Sequence, residues 1–211
     1  MKLSDPAARN PLELRCLRSL RHPGVAKYLG HGHTRKNRIW TEYEYVDGTP
    51  LSARIGKSNR HKTSTQLKKD GQIFLQLLSV VQYLHCCGWT HGDLSPQNIL
   101  VSTKRNQVVL IDFEHARKIE SDPGPVMRRR HSLPFASPLE IAGGVTTELC
   151  EQFALGKIGM LLLSQQSTSG TPKSTKCIES ILKKATSPDP EERYSDLHSL
   201  QLEIQAKCQT G

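Results

Sequence analysis

The chain has 211 residues, of which 36% are hydrophobic and 23% charged, which suits one substantial core in a soluble globular protein. No apolar run approaches the roughly 20 residues of a membrane span, and the N-terminus lacks the apolar core of a signal peptide, so the sequence predicts a cytoplasmic protein without membrane association. The net charge of +9 lies entirely in residues 1–70, which carry 15 Lys and Arg against 6 Asp and Glu. Such a surface favours an acidic partner or a nucleotide, and the lack of any nucleic-acid motif argues against nucleic acid.

The six cysteines do not indicate a metal site or a disulfide framework. None of them forms a C-x-x-C pair, the spacing that zinc sites commonly use. Without a secretory signal they are expected to be reduced thiols, most of them buried in the core.

The first part of the chain predicts one helix followed by two strands. Residues 10–21 carry helix-start signals, because Asn10 can cap the helix and Glu13 lies where a capping box places an acid. Residues 25–34 and 38–46 predict two strands joined by a basic turn. The sequence "DGTP" then interrupts the strand pattern.

Beyond residue 64 the pattern becomes mostly helical. Apolar residues recur at steps of three or four from Ser64 to about Cys87, which predicts one long amphipathic helix. Residues 98–102 and 107–113 predict a short hairpin. Further helices are expected around residues 147–163, 177–186 and 194–208.

Three polar residues around the predicted hairpin suit the chemistry of phosphoryl transfer. In "HGDLSPQN", Asp93 precedes Asn98 by five residues, and Asp112 follows Asp93 by 19 residues at the end of a predicted strand. Phosphoryl transfer needs an aspartate beside the acceptor hydroxyl and metal ions on the phosphate oxygens. Asn98 and Asp112 offer the hard oxygen ligands that Mg²⁺ prefers. The pattern indicates a base at Asp93 and metal ligands at the other two, the alternative being that both aspartates only cap turns.

These motifs resemble the H-R-D-x-x-x-x-N and D-F-G motifs of the protein kinase superfamily in order and context. The resemblance covers about residues 10–205. It implies an α+β, protein-kinase-like fold with a mostly helical C-lobe, residues 47–211, and a reduced N-lobe, residues 1–46. It also implies ATP and Mg²⁺ as cofactors and Asp93 as the catalytic residue.

Three further positions resemble protein kinases in particular. Glu140 in "FASPLE" and Arg193 in "SPDPEERYSDL" stand in the contexts of the family's glutamate and late arginine, which implies an ion pair between them. Glu151 in "EQFALG" stands where the family usually has an aspartate at the start of a central helix. Small-molecule phosphotransferases share only the "HGDLxPxN…IDFE" pattern.

The motifs also depart from the family pattern at three positions. Gly92 replaces the arginine that reads a phosphorylated activation segment, so regulation by that route is not expected. Ser95 replaces a lysine beside the γ-phosphate, and losing that charge should slow transfer. Glu114 replaces the glycine of D-F-G and puts a second carboxylate near the metal.

The region before the catalytic loop departs most from the family. Glu13 lies nine residues before His22-Pro23, as the helix-C glutamate of the family does, so it is either that residue or a helix cap. The chain contains no G-x-G-x-x-G, and Lys2 is the only lysine before Glu13. Lys27 is a second candidate for a phosphate-binding cation, and a partner chain could also complete the nucleotide site.

Two short segments each allow a functional and a plain interpretation. "EYEYVDG", residues 42–48, resembles the hinge between the two lobes, where the backbone of Glu44 to Val46 would meet the adenine edge. The plain interpretation is an exposed strand end with a turn. The R-R-x-S pattern that ends at Ser132 is either a phosphorylation site or, as we favour, a solvated basic loop.

The resemblance implies one leading function and two alternatives. The leading function is ATP- and Mg²⁺-dependent phosphorylation of Ser or Thr in a protein substrate. The first alternative is a pseudokinase or decoy that binds a partner kinase or its substrate. The second is a small-molecule phosphotransferase, which Glu140 and Arg193 disfavour.

Overall fold

The computed structural model of the chain describes residues 2–4, 10–36, 38–57, 62–104, 106–119, 134–163 and 173–209. Within these residues the chain is an α+β protein of seven α-helices and eight short strands. The strands are β1 (Lys2–Ser4), β2 (Tyr28–His33), β3 (Ile39–Tyr43), β4 (Gly48–Pro50), β5 (Trp89–Thr90), β6 (Ile99–Ser102), β7 (Val108–Leu110) and β8 (Arg117–Lys118). The helices are α1 (Pro11–Ser19), α2 (Leu51–Lys57), α3 (Ser64–Cys86), α4 (Pro138–Ile141), α5 (Glu148–Leu163), α6 (Lys173–Ala185) and α7 (Leu197–Gln209).

The first sheet is antiparallel and has the strand order β1–β3–β2. Strands β2 and β3 form the predicted hairpin, with His33 opposite Ile39 and Tyr28 opposite Tyr43. Both strands are shorter than predicted, because pairing ends at Tyr43 and residues 44–47 leave the sheet. Helix α1 precedes β2 and confirms the first predicted helix.

The remaining strands make two small sheets that carry the catalytic motifs. Strands β6 and β7 form the second predicted hairpin, and β4 pairs with the outer edge of β6. Strands β5 and β8 pair with each other, with Trp89 opposite Lys118. The sequence located none of β1, β4, β5 and β8, because each has two or three residues and, unlike β7, no apolar run around it.

The core lies between α3 and α5. Helix α3 matches its prediction to within one residue, and Phe74, Leu77 and Leu78 on its apolar face are fully buried. Helix α5 is buried on most of its sides, as its composition predicted. It approaches α3 closely at Gly159, where a Cβ atom would lie 2.7 Å from the ring of Phe74.

One continuous hydrophobic cluster joins residues from both predicted lobes, from Cys16 and Leu17 in α1 to Ile204 in α7. The division of the chain at residue 46 stays a prediction. In the described part of the chain, no helix combines the length and apolarity that a bilayer crossing requires.

The cysteines are less buried than expected. Cys16 and Cys150 are buried, whereas Cys86 and Cys177 are exposed, and these four and Cys87 are free thiols. Burial raises the pKa of the Cys16 thiol to about 12, so this thiol stays protonated and inert at neutral pH. The expectation of mostly buried thiols therefore holds only in part.

Candidate active site

Asp93 and Asn98 lie on the loop that joins β5 to β6, and their side chains contact each other. The Asn98 amide nitrogen donates to Asp93 Oδ2 at 3.0 Å and to the Asp93 carbonyl oxygen at 2.9 Å. The backbone N–H of Asn98 donates to the Ser95 carbonyl oxygen at 3.0 Å, which closes the loop. The structure therefore brings together the two residues of the "HGDLSPQN" motif.

The segment that carries Asp112 is held against this loop. Ile111 donates its N–H to the Asn98 carbonyl oxygen at 3.0 Å, and its own carbonyl oxygen accepts a hydrogen bond from His91 Nε2 at 2.9 Å. The buried His91 ring packs on the Phe113 ring, with centroids 4.8 Å apart. Because Ile111 and Phe113 flank Asp112, these contacts fix its backbone beside the loop of Asp93 and Asn98. We refer to Asp93, Asn98 and Asp112 as the candidate trio.

Asp112 has a backbone conformation that residues other than glycine rarely adopt. Its φ of 63° and ψ of 74° lie in the left-handed region, immediately before the short 3₁₀ turn Phe113–His115. Aspartate tolerates this region better than most residues, yet strained backbone positions cluster at functional sites. The conformation supports a functional role for Asp112 independently of the motif.

Glu151 of α5 anchors the catalytic loop through the backbone of Gly92. Its Oε1 accepts the Gly92 N–H at 2.8 Å, and its Oε2 lies 2.7 Å from Nε2 of His85 in α3. Glu151 is only 2% exposed, so both contacts are sheltered from water and are stronger for it. The sequence marked Glu151 as a family position, but it gave no signal for His85 or for the contact with Gly92.

We expect Gly92→Ala to destabilise the protein more than Gly143→Ala does. Both glycines have left-handed backbones, with φ of +82° and +86°, so an alanine costs about 1–2 kcal/mol of strain at either position. A Cβ at Gly92 would also overlap the His115 carbonyl oxygen, whereas Gly143 faces open space. The overlap adds about 1–3 kcal/mol at Gly92 alone. Urea unfolding of both variants measures the difference, and equal losses would contradict this account.

Glu13 of α1 contacts the first sheet. It is 1% exposed, and its Oε1 accepts a hydrogen bond from the Tyr43 hydroxyl at 2.9 Å. The Asn10 side chain caps α1, and Glu13 lies in the first turn of the same helix. In the same sheet, Lys2 of β1 pairs in register with Thr41, two residues before Tyr43.

Residues 44–47, which lie within the predicted hinge 42–48, line a cavity of about 740 Å³. The Glu44 N–H donates to the Lys27 carbonyl oxygen at 2.8 Å, and Lys27 and Val46 line the same cavity. No residue of the candidate trio lines it. The structure therefore does not bring Lys27 together with the trio in this cavity, and the adenine contact of Glu44 and Val46 stays a prediction.

The comparison with known proteins identifies the family of this fold. Residues 3–207 match the protein kinase domain. The chain belongs to the protein kinase domain family.

Three relatives of this kinase domain illustrate the range of similarity. Serine/threonine-protein kinase pkn3 of Myxococcus xanthus is 25% identical over 238 residues, which cover 97% of this chain and 43% of that protein. Serine/threonine-protein kinase PknA of Mycobacterium tuberculosis is 27% identical over 169 residues, which cover 74% of this chain and 37% of that protein. CBL-interacting serine/threonine-protein kinase 21 of Arabidopsis thaliana is 33% identical over 94 residues, which cover 44% of this chain and 21% of that protein. The chain spans less than half the length of each of these relatives.

Glu140 and Arg193 of this kinase domain attract each other, because the Glu140 charge opposes the lowering of the Arg193 pKa by burial. Glu140 accepts hydrogen bonds from the Ser137 N–H at 2.9 Å and from the Thr146 hydroxyl at 2.7 Å. The Arg193 guanidinium donates to the backbone carbonyl oxygens of Leu149, Ser187 and Pro188. Both residues are buried, and a direct ion pair between them stays a prediction.

Ser95 cannot supply the positive charge of the lysine that the family pattern has at its position. Its side chain is 1% exposed, and its hydroxyl has no hydrogen-bond partner among the described residues. A buried neutral hydroxyl does not supply the positive charge that stabilises a transferring phosphoryl group. The R-R-x-S pattern ending at Ser132 lies outside the described residues.

Proposed function

We propose that this kinase domain is an ATP- and Mg²⁺-dependent enzyme that phosphorylates Ser or Thr in a protein substrate. The observation that carries the proposal is the hydrogen bond from Asn98 to Asp93 Oδ2, at 3.0 Å, on a loop bonded to the segment of Asp112. Two of the relatives are named as serine/threonine-protein kinases over most of this chain, which supports Ser or Thr as the acceptor.

Asp93 is proposed as the residue that orients the acceptor hydroxyl and accepts its proton. Its side chain is partly exposed, so a hydroxyl from a substrate can reach it. The Asn98 amide holds Oδ2 and so restricts rotation of the carboxylate. Proton transfer requires this kind of fixed geometry, with the base within hydrogen-bond distance of the hydroxyl.

Asn98 and Asp112 are proposed to hold Mg²⁺. The Asn98 side chain contacts Asp93 through its amide nitrogen, so its amide oxygen is the atom that suits a cation. No group of three or more His, Cys, Asp or Glu in the described ranges could hold a metal ion alone. Mg²⁺ bound with a nucleotide needs only one or two protein ligands besides phosphates and waters, so this donor set fits. When bound, the ion would neutralise phosphate oxygens during transfer.

The nucleotide is proposed to bind between the predicted N-lobe, residues 1–46, and the predicted C-lobe, residues 47–211. The backbone of Glu44 to Val46 is the proposed adenine contact. Lys2 and Lys27 stay the two candidates for the phosphate-binding cation. The backbone of Lys2 pairs with Thr41 of β3, and Lys27 lines the same cavity as Glu44 and Val46.

A nucleotide-independent binding protein is the second candidate function. The buried, neutral Ser95 favours it, because the expected cation beside the γ-phosphate is replaced by a side chain that cannot reach a phosphate. In that case the kinase domain would bind a partner kinase or its substrate without transferring phosphate.

Thermal unfolding with and without Mg·ATP separates the two candidates. At 100 times Kd a ligand contributes about 2.7 kcal/mol, which raises the Tm of a chain of this length by about 5–10 °C. We expect this shift in the wild-type protein and its loss in Asp112→Asn. Glu191→Gln removes an equal charge from an exposed turn and should retain the shift. A wild-type protein with no shift would overturn the proposed enzyme.

A further inference from the structure

Asn10 connects two parts of the molecule that are far apart in the sequence. Its Oδ1 accepts the Leu12 N–H at 3.0 Å and so caps α1. Its two amide N–H groups donate to the carbonyl oxygens of Glu114 at 2.9 Å and Ala116 at 2.8 Å. One side chain therefore fastens the start of α1 to a segment 104 and 106 residues further along the chain.

The segment that Asn10 holds is the turn that begins at Asp112. Glu114 lies inside the 3₁₀ turn Phe113–His115, and Ala116 ends it by donating its N–H to the Phe113 carbonyl oxygen at 3.0 Å. Asp112 adopts its left-handed conformation immediately before this turn. A strained conformation persists only where surrounding contacts hold it, and Asn10 supplies two such contacts.

Helix α1 is itself well fixed, so it can transmit this restraint. Cys16 is fully buried and Leu17 is 2% exposed, and both belong to the central hydrophobic cluster. One turn after Asn10, the buried Glu13 accepts the hydrogen bond from Tyr43 of β3. The helix therefore links the first sheet, through Asn10, to the backbone beside Asp112.

We propose that Asn10 is a positioning residue that holds the Asp112 turn in the conformation that binds Mg·ATP. The proposal rests on the proposed function, because it assigns Asn10 to the same metal and nucleotide site. Capping α1 requires only an oxygen acceptor, which Ser, Thr or Asp provides equally well. The two N–H donors of asparagine are what this second role requires.

Two substitutions separate the cap from the contact with the turn. Asn10→Ser keeps a capping oxygen and removes both donors. Asn10→Asp also keeps the cap, but it sets a carboxylate against the two carbonyl oxygens that the amide now contacts. Thr63→Ala is the matched control, since the Thr63 side chain caps a different helix, α3, by accepting the Gln66 N–H at 3.2 Å.

The first measurement is the Mg²⁺ concentration that half-saturates ATP binding. Removing a residue that orients a metal ligand typically lowers the metal affinity about 10–100-fold. We expect the midpoint to rise about tenfold in Asn10→Ser and further in Asn10→Asp, while Thr63→Ala lowers the unfolding midpoint without moving the Mg²⁺ midpoint. A wild-type Mg²⁺ midpoint in Asn10→Ser, or an equal shift in Thr63→Ala, would reduce Asn10 to a helix cap.

The second measurement does not depend on nucleotide. Hydrogen exchange of the Ala116 amide in the ligand-free protein reports opening of the turn, and loss of the Asn10 bonds is expected to speed it about tenfold in Asn10→Ser. An unchanged rate would overturn the proposal. If the wild-type protein did not bind Mg·ATP, the proposed function would fail, whereas faster exchange in Asn10→Ser would still support Asn10 as the residue that holds the Asp112 turn.

Discussion

Asp93→Asn is expected to lower kcat for phosphate transfer by about 10²–10⁴-fold, the usual contribution of a positioned base. Asparagine has the size of aspartate and can still accept the Asn98 hydrogen bond through its oxygen, so the loop should keep its conformation. The neutral amide cannot accept the proton of the substrate hydroxyl. Transfer of labelled phosphate from ATP to casein, followed over time, gives kcat and KM for both proteins.

The control for this experiment is the binding of nucleotide. Asp93→Asn should keep the Mg·ATP-dependent rise in Tm, because the proposed metal ligands Asn98 and Asp112 are intact. Glu191→Gln should keep both the rise and the activity. Equal, low activity in the wild-type protein and Asp93→Asn would count against the enzyme, and would favour a kinase domain that binds partners without catalysis.

Long periodic elements were predictable, and short paired ones were not. Helix α3 was placed to within one residue because its 23 residues repeat an apolar face many times. Strands β5 and β8 have two residues each and form only because Trp89 and Lys118 meet across the fold. Their pairing is a tertiary event, and no local pattern encodes it.

The candidate site likewise has a part that the sequence predicted and a part that it did not. Asp93, Asn98 and Asp112 were visible in the sequence because phosphoryl transfer demands those residue types at those spacings. The contacts that hold them were not visible. Glu151 and Asn10 bond to backbone groups far away in the sequence, and His85 contacts the Glu151 carboxylate. The hydrogen bonds of Glu140 and Arg193 were hidden for the same reason, because the partners of these buried charged residues are known only from the folded chain.

Asp70 is a structural residue that sequence reasoning missed. It is fully buried in α3, on a helix whose buried face is otherwise apolar. Its carboxylate accepts hydrogen bonds at 2.9 Å from Arg54, Lys62 and Gln66. Lys62 also donates to the Leu162 carbonyl oxygen at 2.5 Å, so this cluster joins α2, α3 and α5. Nothing in the local pattern around residue 70 points to partners 16 and 8 residues earlier.

Asp70→Ala is expected to lower the free energy of unfolding by about 3–5 kcal/mol, because it leaves a buried cation without its partner. The Lys62 side chain is only 5% exposed and has no easy route to water, whereas the Arg54 side chain is 25% exposed. Arg54→Ala should therefore cost only about 1 kcal/mol. Urea unfolding at constant pH measures both losses.

The double variant Asp70→Leu with Lys62→Met tests the cause of that loss. If the orphaned charge of Lys62 is responsible, removing both charges should recover most of the stability, since well-packed apolar residues often replace a buried ion pair without loss. A double variant as unstable as Asp70→Ala would show instead that the cluster itself stabilises the fold through its four hydrogen bonds, three to Asp70 and one from Lys62 to Leu162. The first result assigns the loss of stability to the unpaired charge of Lys62, and the second assigns it to the lost hydrogen bonds between α2, α3 and α5.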